Sequence, residues 1–232
     1  MSDEKEKYFN FPIHLLQGFI KDSYKCLNDI TDFAIYERSI ELAFGDELER
    51  MKSAAKFYDL KLSNYDNSLK NGIRIYNETV GERLPKTGLS LSLFWEYYKN
   101  DKTEFDKVCL LAFLALRSII QNKAYTKVDN KYLLSRMDGK ARSFDLSELS
   151  EELLKYSSRR LLEKVKKELQ FNWYLIYYSR YTRGFYISFK LSLEDLIFEA
   201  EKRRVSTKEK EQKQIRDEAL RKALCRLTIK PP

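Results

Sequence analysis

Apolar residues recur at helical spacing through most of the chain. After Phe11-Pro12, positions Ile13, Leu16, Phe19, Ile20, Leu27, Ile30, Phe33 and Ile40 fall roughly on one helical face, with Pro12 suited to a helix start. Leu48, Met51, Ala55 and Tyr58 give a second stripe, and Leu69, Ile73 and Tyr76 a third. Residues 80–88 carry the Gly and Pro of a loop, and residues 90–98 resume as an aromatic helix containing Trp95. Thr103 is an acceptable N-cap for a strongly apolar helix over 105–120, the best candidate for a central core element.

Beyond that helix the pattern becomes mixed. Residues 124–128 look β-like, Asp129 can cap a short helix over 130–137 that stops at Gly139, and 140–145 is a polar connection. A short amphipathic helix is predicted over 147–156 through Leu149, Leu153 and Leu154. The next, over 158–170, turns Leu161, Leu162, Val165 and Leu169 inward and leaves Arg159, Arg160, Lys164, Lys166 and Lys167 on its other faces. The period then changes to that of strands over 173–178 and 185–190, with the polar tip Ser179-Arg180-Tyr181-Thr182-Arg183-Gly184 between them. A hairpin is therefore expected. Residues 192–204 read as helix, and from Val205 a highly charged tail keeps a thin stripe through Ile215, Ala219, Ala223 and Leu227, as a solvated, partly frayed helix would.

Composition agrees with a mainly α fold: 43% of the 232 residues are hydrophobic and 14% aromatic, enough for a real core, while only 7 Gly and 4 Pro punctuate the chain. The charged first residues do not resemble a secretory signal, and the apolar window 108–116 is too short to span a bilayer. Three dispersed cysteines, Cys26, Cys109 and Cys225, with no CxxC and one histidine, His14, suit a reducing compartment and offer no disulfide framework or metal site. A cytoplasmic protein without cofactor is expected. Enzyme motifs are missing too: there is no GxSxG, Walker loop or HExxH, and the acidic pairs occupy ordinary cap or surface positions, so no catalytic residue is assigned.

Charge changes the picture, because it is segregated. Residues 1–154 hold 23 Lys+Arg against 25 Asp+Glu, residues 155–183 hold 8 against 2, and residues 184–232 hold 12 against 8. The whole basic excess lies in the C-terminal third, where a polyanion would meet it.

The order helix, short strand, helix, helix, hairpin over 103–190, with Ser157-Ser158-Arg159-Arg160-Leu161-Leu162-Glu163-Lys164-Val165-Lys166-Lys167-Glu168-Leu169 ahead of an aromatic hairpin, resembles the winged helix-turn-helix domain of transcription regulators and plasmid replication initiators. The resemblance covers under half of the chain. It implies that the helix before the wing is a recognition helix, with Ser158, Arg159, Arg160, Lys164 and Lys167 facing DNA and Arg180 and Arg183 at the wing tip reaching phosphates or the minor groove. Two short helices, 130–137 and 147–156, compete for the role of second helix. Tyr174, Tyr177, Tyr178, Tyr181 and Tyr186 could stack single-stranded bases, although a two-stranded hairpin needs aromatic cross-strand pairs merely to pack.

The expected organisation is an N-terminal helical region (1–100) that packs or dimerises through its apolar faces, a winged helix (101–191) and a charged C-terminal helix (192–232). The expected function is binding of nucleic acid, double-stranded DNA first, in transcription regulation or replication, with no membrane partner. The alternative is an interaction module whose winged helix meets another protein.

Overall fold

The computed structural model describes residues 6–179 and 184–228, the last six as backbone only. It is mainly α, with two small antiparallel sheets.

The first sheet corrects the sequence reading. Pro12 does not start a helix but ends a strand, β1 (Tyr8–Pro12), and residues 86–90, expected as the end of a loop and the start of a helix, form β2 (Lys86–Ser90). They pair with Phe9 opposite Leu89 and Phe11 opposite Thr87. The physical reason is period-two burial: Phe9 and Phe11 are buried while Tyr8 and Asn10 face out, and the Thr87 hydroxyl donates to the Leu114 carbonyl at 3.0 Å. A 3-10 turn (Ile13–Leu16) follows, and Gly18, at φ +77°, separates it from α1 (Ser23–Ile40), whose N-cap Asp22 accepts from the Lys25 amide.

Helices α2 (Glu47–Phe57) and α3 (Tyr65–Thr79) match the second and third stripes, and both pack on α1. At the α1–α3 crossing, a Cβ on Gly72 would lie 2.7 Å from the Tyr36 Cβ and 2.8 Å from the Asp32 carbonyl oxygen. Both atoms are fixed by α1. Alanine is the better helix former by about 1 kcal/mol, but overpacking of this kind costs about 1–3 kcal/mol. Gly72→Ala should therefore destabilise, lowering the urea midpoint with an unchanged m-value; an unchanged or raised midpoint would contradict the close crossing.

Ser90 caps the aromatic α4 (Leu91–Lys99), and a Thr103–Asp106 capping box opens α5 (Glu104–Ile120). From Val108 to Leu116 every residue of α5 except Phe113 is buried, because β2 and the 3-10 turn cover one side and α6 (Asn130–Met137) and α8 (Arg159–Asn172) the other. One continuous apolar cluster runs from Phe9 to Ile187 through this helix. Among the described residues no helix is long and apolar enough to cross a membrane.

After α5 come β3 (Thr126–Val128) and α6, capped by Asp129. The helix expected over 147–156 is broken into a 3-10 turn (Leu146–Glu148), a four-residue α7 (Glu151–Leu154) and a second 3-10 turn (Lys155–Ser157). Side-chain ties explain the breaks: the Ser150 amide donates to the Asp138 carboxylate at 3.3 Å, and Lys140 donates to the Glu148 carbonyl. Helix α8 leads to β4 (Ile176–Tyr178) and β5 (Phe185–Ser188), which with β3 form an antiparallel sheet in the order β3-β5-β4.

The last helix, α9 (Leu193–Thr228), is the charged C-terminal helix expected from the sequence and continues regularly past residue 204. Its core contacts end near Ala200, but Glu209 and Lys213, Asp217 and Arg221, and Glu218 and Lys222 stand four apart with the acid first, the spacing that supports an exposed helix.

Candidate nucleic-acid interface

Helix α8 is fixed at its N-terminal end. Before it, Glu104 at the start of α5 accepts from Lys155 at 2.7 Å and from the Tyr156 hydroxyl at 2.9 Å, which pins the preceding turn to the core helix. Those bonds hold the Glu104 carboxyl below the usual carboxylate range, and burial with the same bond pushes the Tyr156 phenol up to about 12. The Ser158 hydroxyl then caps α8 by accepting from the Leu161 amide. One face buries Leu162, Val165 and Leu169, with Leu161 half-buried.

Ser158, Arg159, Arg160, Lys164 and Lys167 are all exposed; Arg160, Lys164 and Lys167 lie opposite the buried face, whereas Arg159, seven positions before Lys166, lies on that residue's side of the helix. Ser158, Arg160, Lys164 and Lys167 line one open, shallow depression of about 660 Å³ together with Leu161 and Glu163. Arg159 is not among its lining residues. Among the described residues, none of Arg159, Arg160, Lys164 and Lys167 forms an ion pair; the Lys164 ammonium instead sits 4.5 Å from the centre of the Phe105 ring. Glu163, the acidic group within this surface, is taken up by Lys166 at 2.9 Å. Free cations on an ordered helix are what phosphate oxygens or a guanine edge require.

Lys166 is a correction. The sequence reading left it on an outer face, whereas it is 2% exposed, donating to Asn130 Oδ1 at 2.8 Å and standing 4.2 Å from the Phe185 ring centre and 5.3 Å from that of Tyr177. Burial lowers its pKa from the ordinary lysine value, against the opposing pull of Glu163. Its ammonium joins α6, α8 and the hairpin.

The hairpin pairs Ile176 with Ser188, Tyr177 with Ile187 and Tyr178 with Tyr186. Gly184, at φ +94°, lets the chain enter β5 beside β3, where a Cβ would meet the Val128 carbonyl oxygen at 2.7 Å. Arg180 and Arg183, with Tyr181, lie outside the described residues. Of the other tyrosines considered for stacking, Tyr177 meets Phe185 at 5.2 Å and Tyr178 donates to Glu201 at 2.9 Å, so both have packing roles. Tyr174 does not share them: it is 85% exposed, as is nearby Phe171 at 81%. The sequence reading missed Phe171, although an apolar residue four positions after Lys167 on the polar face was a legible anomaly.

No family model, no curated protein and no solved structure matches the chain. The imidazole of His14 is desolvated and held below the ordinary histidine pKa, its buried Nδ1 having no partner among the described residues; burial likewise raises the Cys26 thiol to about 11 and that of Cys109 to about 12. A high thiol pKa disfavours the nucleophilic thiolate. Among the described residues, no group of three or more His, Cys, Asp or Glu could hold a metal ion.

Proposed function

We propose that this protein binds double-stranded DNA through a winged helix built from α5, β3, α6, α8 and the β4–β5 hairpin, and acts in transcription regulation or replication. The observation that carries the reading is the depression on α8, lined by Arg160, Lys164 and Lys167, which have no acidic partner among the described residues, while Glu163 beside them is paired with Lys166. The element order and the β3-β5-β4 arrangement support it, since such a module needs a three-helix core with the hairpin beside its reading helix. In this reading α6 is the second helix, because it is regular and packs on α5, while residues 146–157 form the connection. In this reading Arg159 adds charge outside the depression, and Arg180 and Arg183 reach phosphates or the minor groove.

Salt tests the proposal. Affinity for a mixed duplex pool should fall with ionic strength at a log–log slope of about −0.9 for each phosphate neutralised, or roughly −4 for four to five phosphates. A flat profile, or wild-type binding weaker than about 10⁻⁴ M at low salt, would overturn DNA binding in favour of a protein-docking module.

A further inference from the structure

Resting on the DNA reading, we infer that Phe171 and Tyr174 form a stacking end to the basic ladder of α8, so that this face takes a DNA duplex running into unpaired bases. Helix geometry supplies the first step. Arg160, Lys164, Lys167 and Phe171 are spaced four, three and four apart, which keeps them on one line that rises about 16 Å along the axis, roughly five base steps. All four are exposed, Phe171 by 81%.

A solitary exposed apolar side chain is ordinary. This one is different because it ends a cationic ladder and because Tyr174, three residues on, is exposed at a cost. Helix α8 closes with the Trp173 and Leu175 amides both donating to the Leu169 carbonyl at 3.1 Å, and Tyr174 takes the left-handed position, φ +55°, that such a stop usually gives to glycine. A bulky residue there is a genuine outlier. The turn carries Leu175 inward, 1% exposed, and leaves the Tyr174 ring outside. Among the described residues neither Phe171 nor Tyr174 makes a ring contact, whereas Trp173 between them packs on Phe113 at 4.9 Å.

Charge complementarity names the occupant. The ladder asks for a polyanion, and the two rings at its end ask for flat apolar faces. A closed duplex offers phosphates and base edges, but its base faces are stacked away and must be separated before a ring can reach them. An unpaired base continuing from the duplex offers phosphate and free face together.

The test compares a blunt DNA duplex with the same duplex carrying a single-stranded extension, with 2-aminopurine at the first unpaired position. The wild type should bind the extended probe about tenfold more tightly and quench the fluorophore. Phe171→Ala should abolish most of the preference and the quenching while leaving blunt-duplex affinity and melting temperature unchanged. Tyr174→Gly should weaken the preference yet raise the melting temperature, a pairing of signs that a merely structural tyrosine would not give. Equal wild-type affinity for the two probes, or variants that lose both affinities in parallel, would overturn this inference while DNA binding stands. Failure of the wild type to bind either probe would overturn the DNA reading itself.

Discussion

The double variant Arg159→Ala/Arg160→Ala is expected to bind duplex DNA at least tenfold more weakly than wild type and to fold as well. The loss of affinity follows from what the guanidinium groups would touch. Each one that reads a base edge is worth roughly 1–3 kcal/mol, and the salt slope should fall by about one for each phosphate no longer neutralised. The two positions are not equivalent, because Arg160 lines the same depression as Lys164 and Lys167 whereas Arg159 does not. Arg160→Ala alone should account for most of the loss. Stability should change by no more than about 0.5 kcal/mol, since both side chains are exposed and Leu162, Val165 and Leu169 hold the helix down. Lys208→Ala/Lys210→Ala on the exposed part of α9 removes the same net charge away from the site and serves as the control. Fluorescence anisotropy over a salt series, with circular dichroism for the fold, decides the matter. If both double variants bind alike, general basicity rather than this face carries the affinity.

The control matters because net charge was the weakest part of the sequence argument. Of the eight cations counted in residues 155–183, Lys155 is paired with Glu104 and Lys166 is buried against Glu163, so the exposed basic surface is smaller than the sum suggests. Lys166 was nonetheless legible. It follows Leu162 by four positions and precedes Leu169 by three, which places it on the buried stripe that the leucines define. Lysine was read as a surface type, and a paired, buried one breaks that habit. Helices α5, α6 and α8 and the hairpin were legible because their signals are local: an N-cap at Thr103, a cap at Asp129 and a change of period after Asn172. Strands β1 and β2 were not, because each supplies only five residues and its partner lies far away in the chain; Thr87 and Gly88 look like loop until Phe11 and Asn10 stand opposite them. Helix α9 was legible from its thin apolar stripe, although beyond Ala200 its support comes from charge spacing on an exposed surface and not from burial.

Because the buried lysine ties α6, α8 and the hairpin together, removing its counter-ion should do more harm than removing the lysine. Glu163→Gln keeps the shape of the side chain but leaves the Lys166 ammonium, whose side chain is 3% exposed, with neutral acceptors and the faces of Phe185 and Tyr177. Breaking a fully buried pair costs about 3–5 kcal/mol; the Glu163 side chain is 40% exposed and attracts through partly hydrated surroundings, so a loss of about 2 kcal/mol at neutral pH is expected. In Lys166→Met the stem is replaced by one of similar reach, and the Glu163 carboxylate left behind returns to water, so the loss should stay below about 1.5 kcal/mol. The sign of the pH dependence separates the two variants. Burial places the folded pKa of Lys166 below that of an unfolded lysine, so between those values the unfolded chain holds more protons and stability rises with pH. Glu163→Gln removes the largest influence holding that pKa up, so its alkaline gain should begin at a lower pH and be larger than in wild type. Lys166→Met should lose this gain altogether. Urea denaturation of all three proteins at intervals between about pH 7 and pH 10 measures the difference. A Glu163→Gln protein as stable as wild type, or one whose deficit does not shrink toward alkaline pH, would show that the Lys166 ammonium does not depend on Glu163.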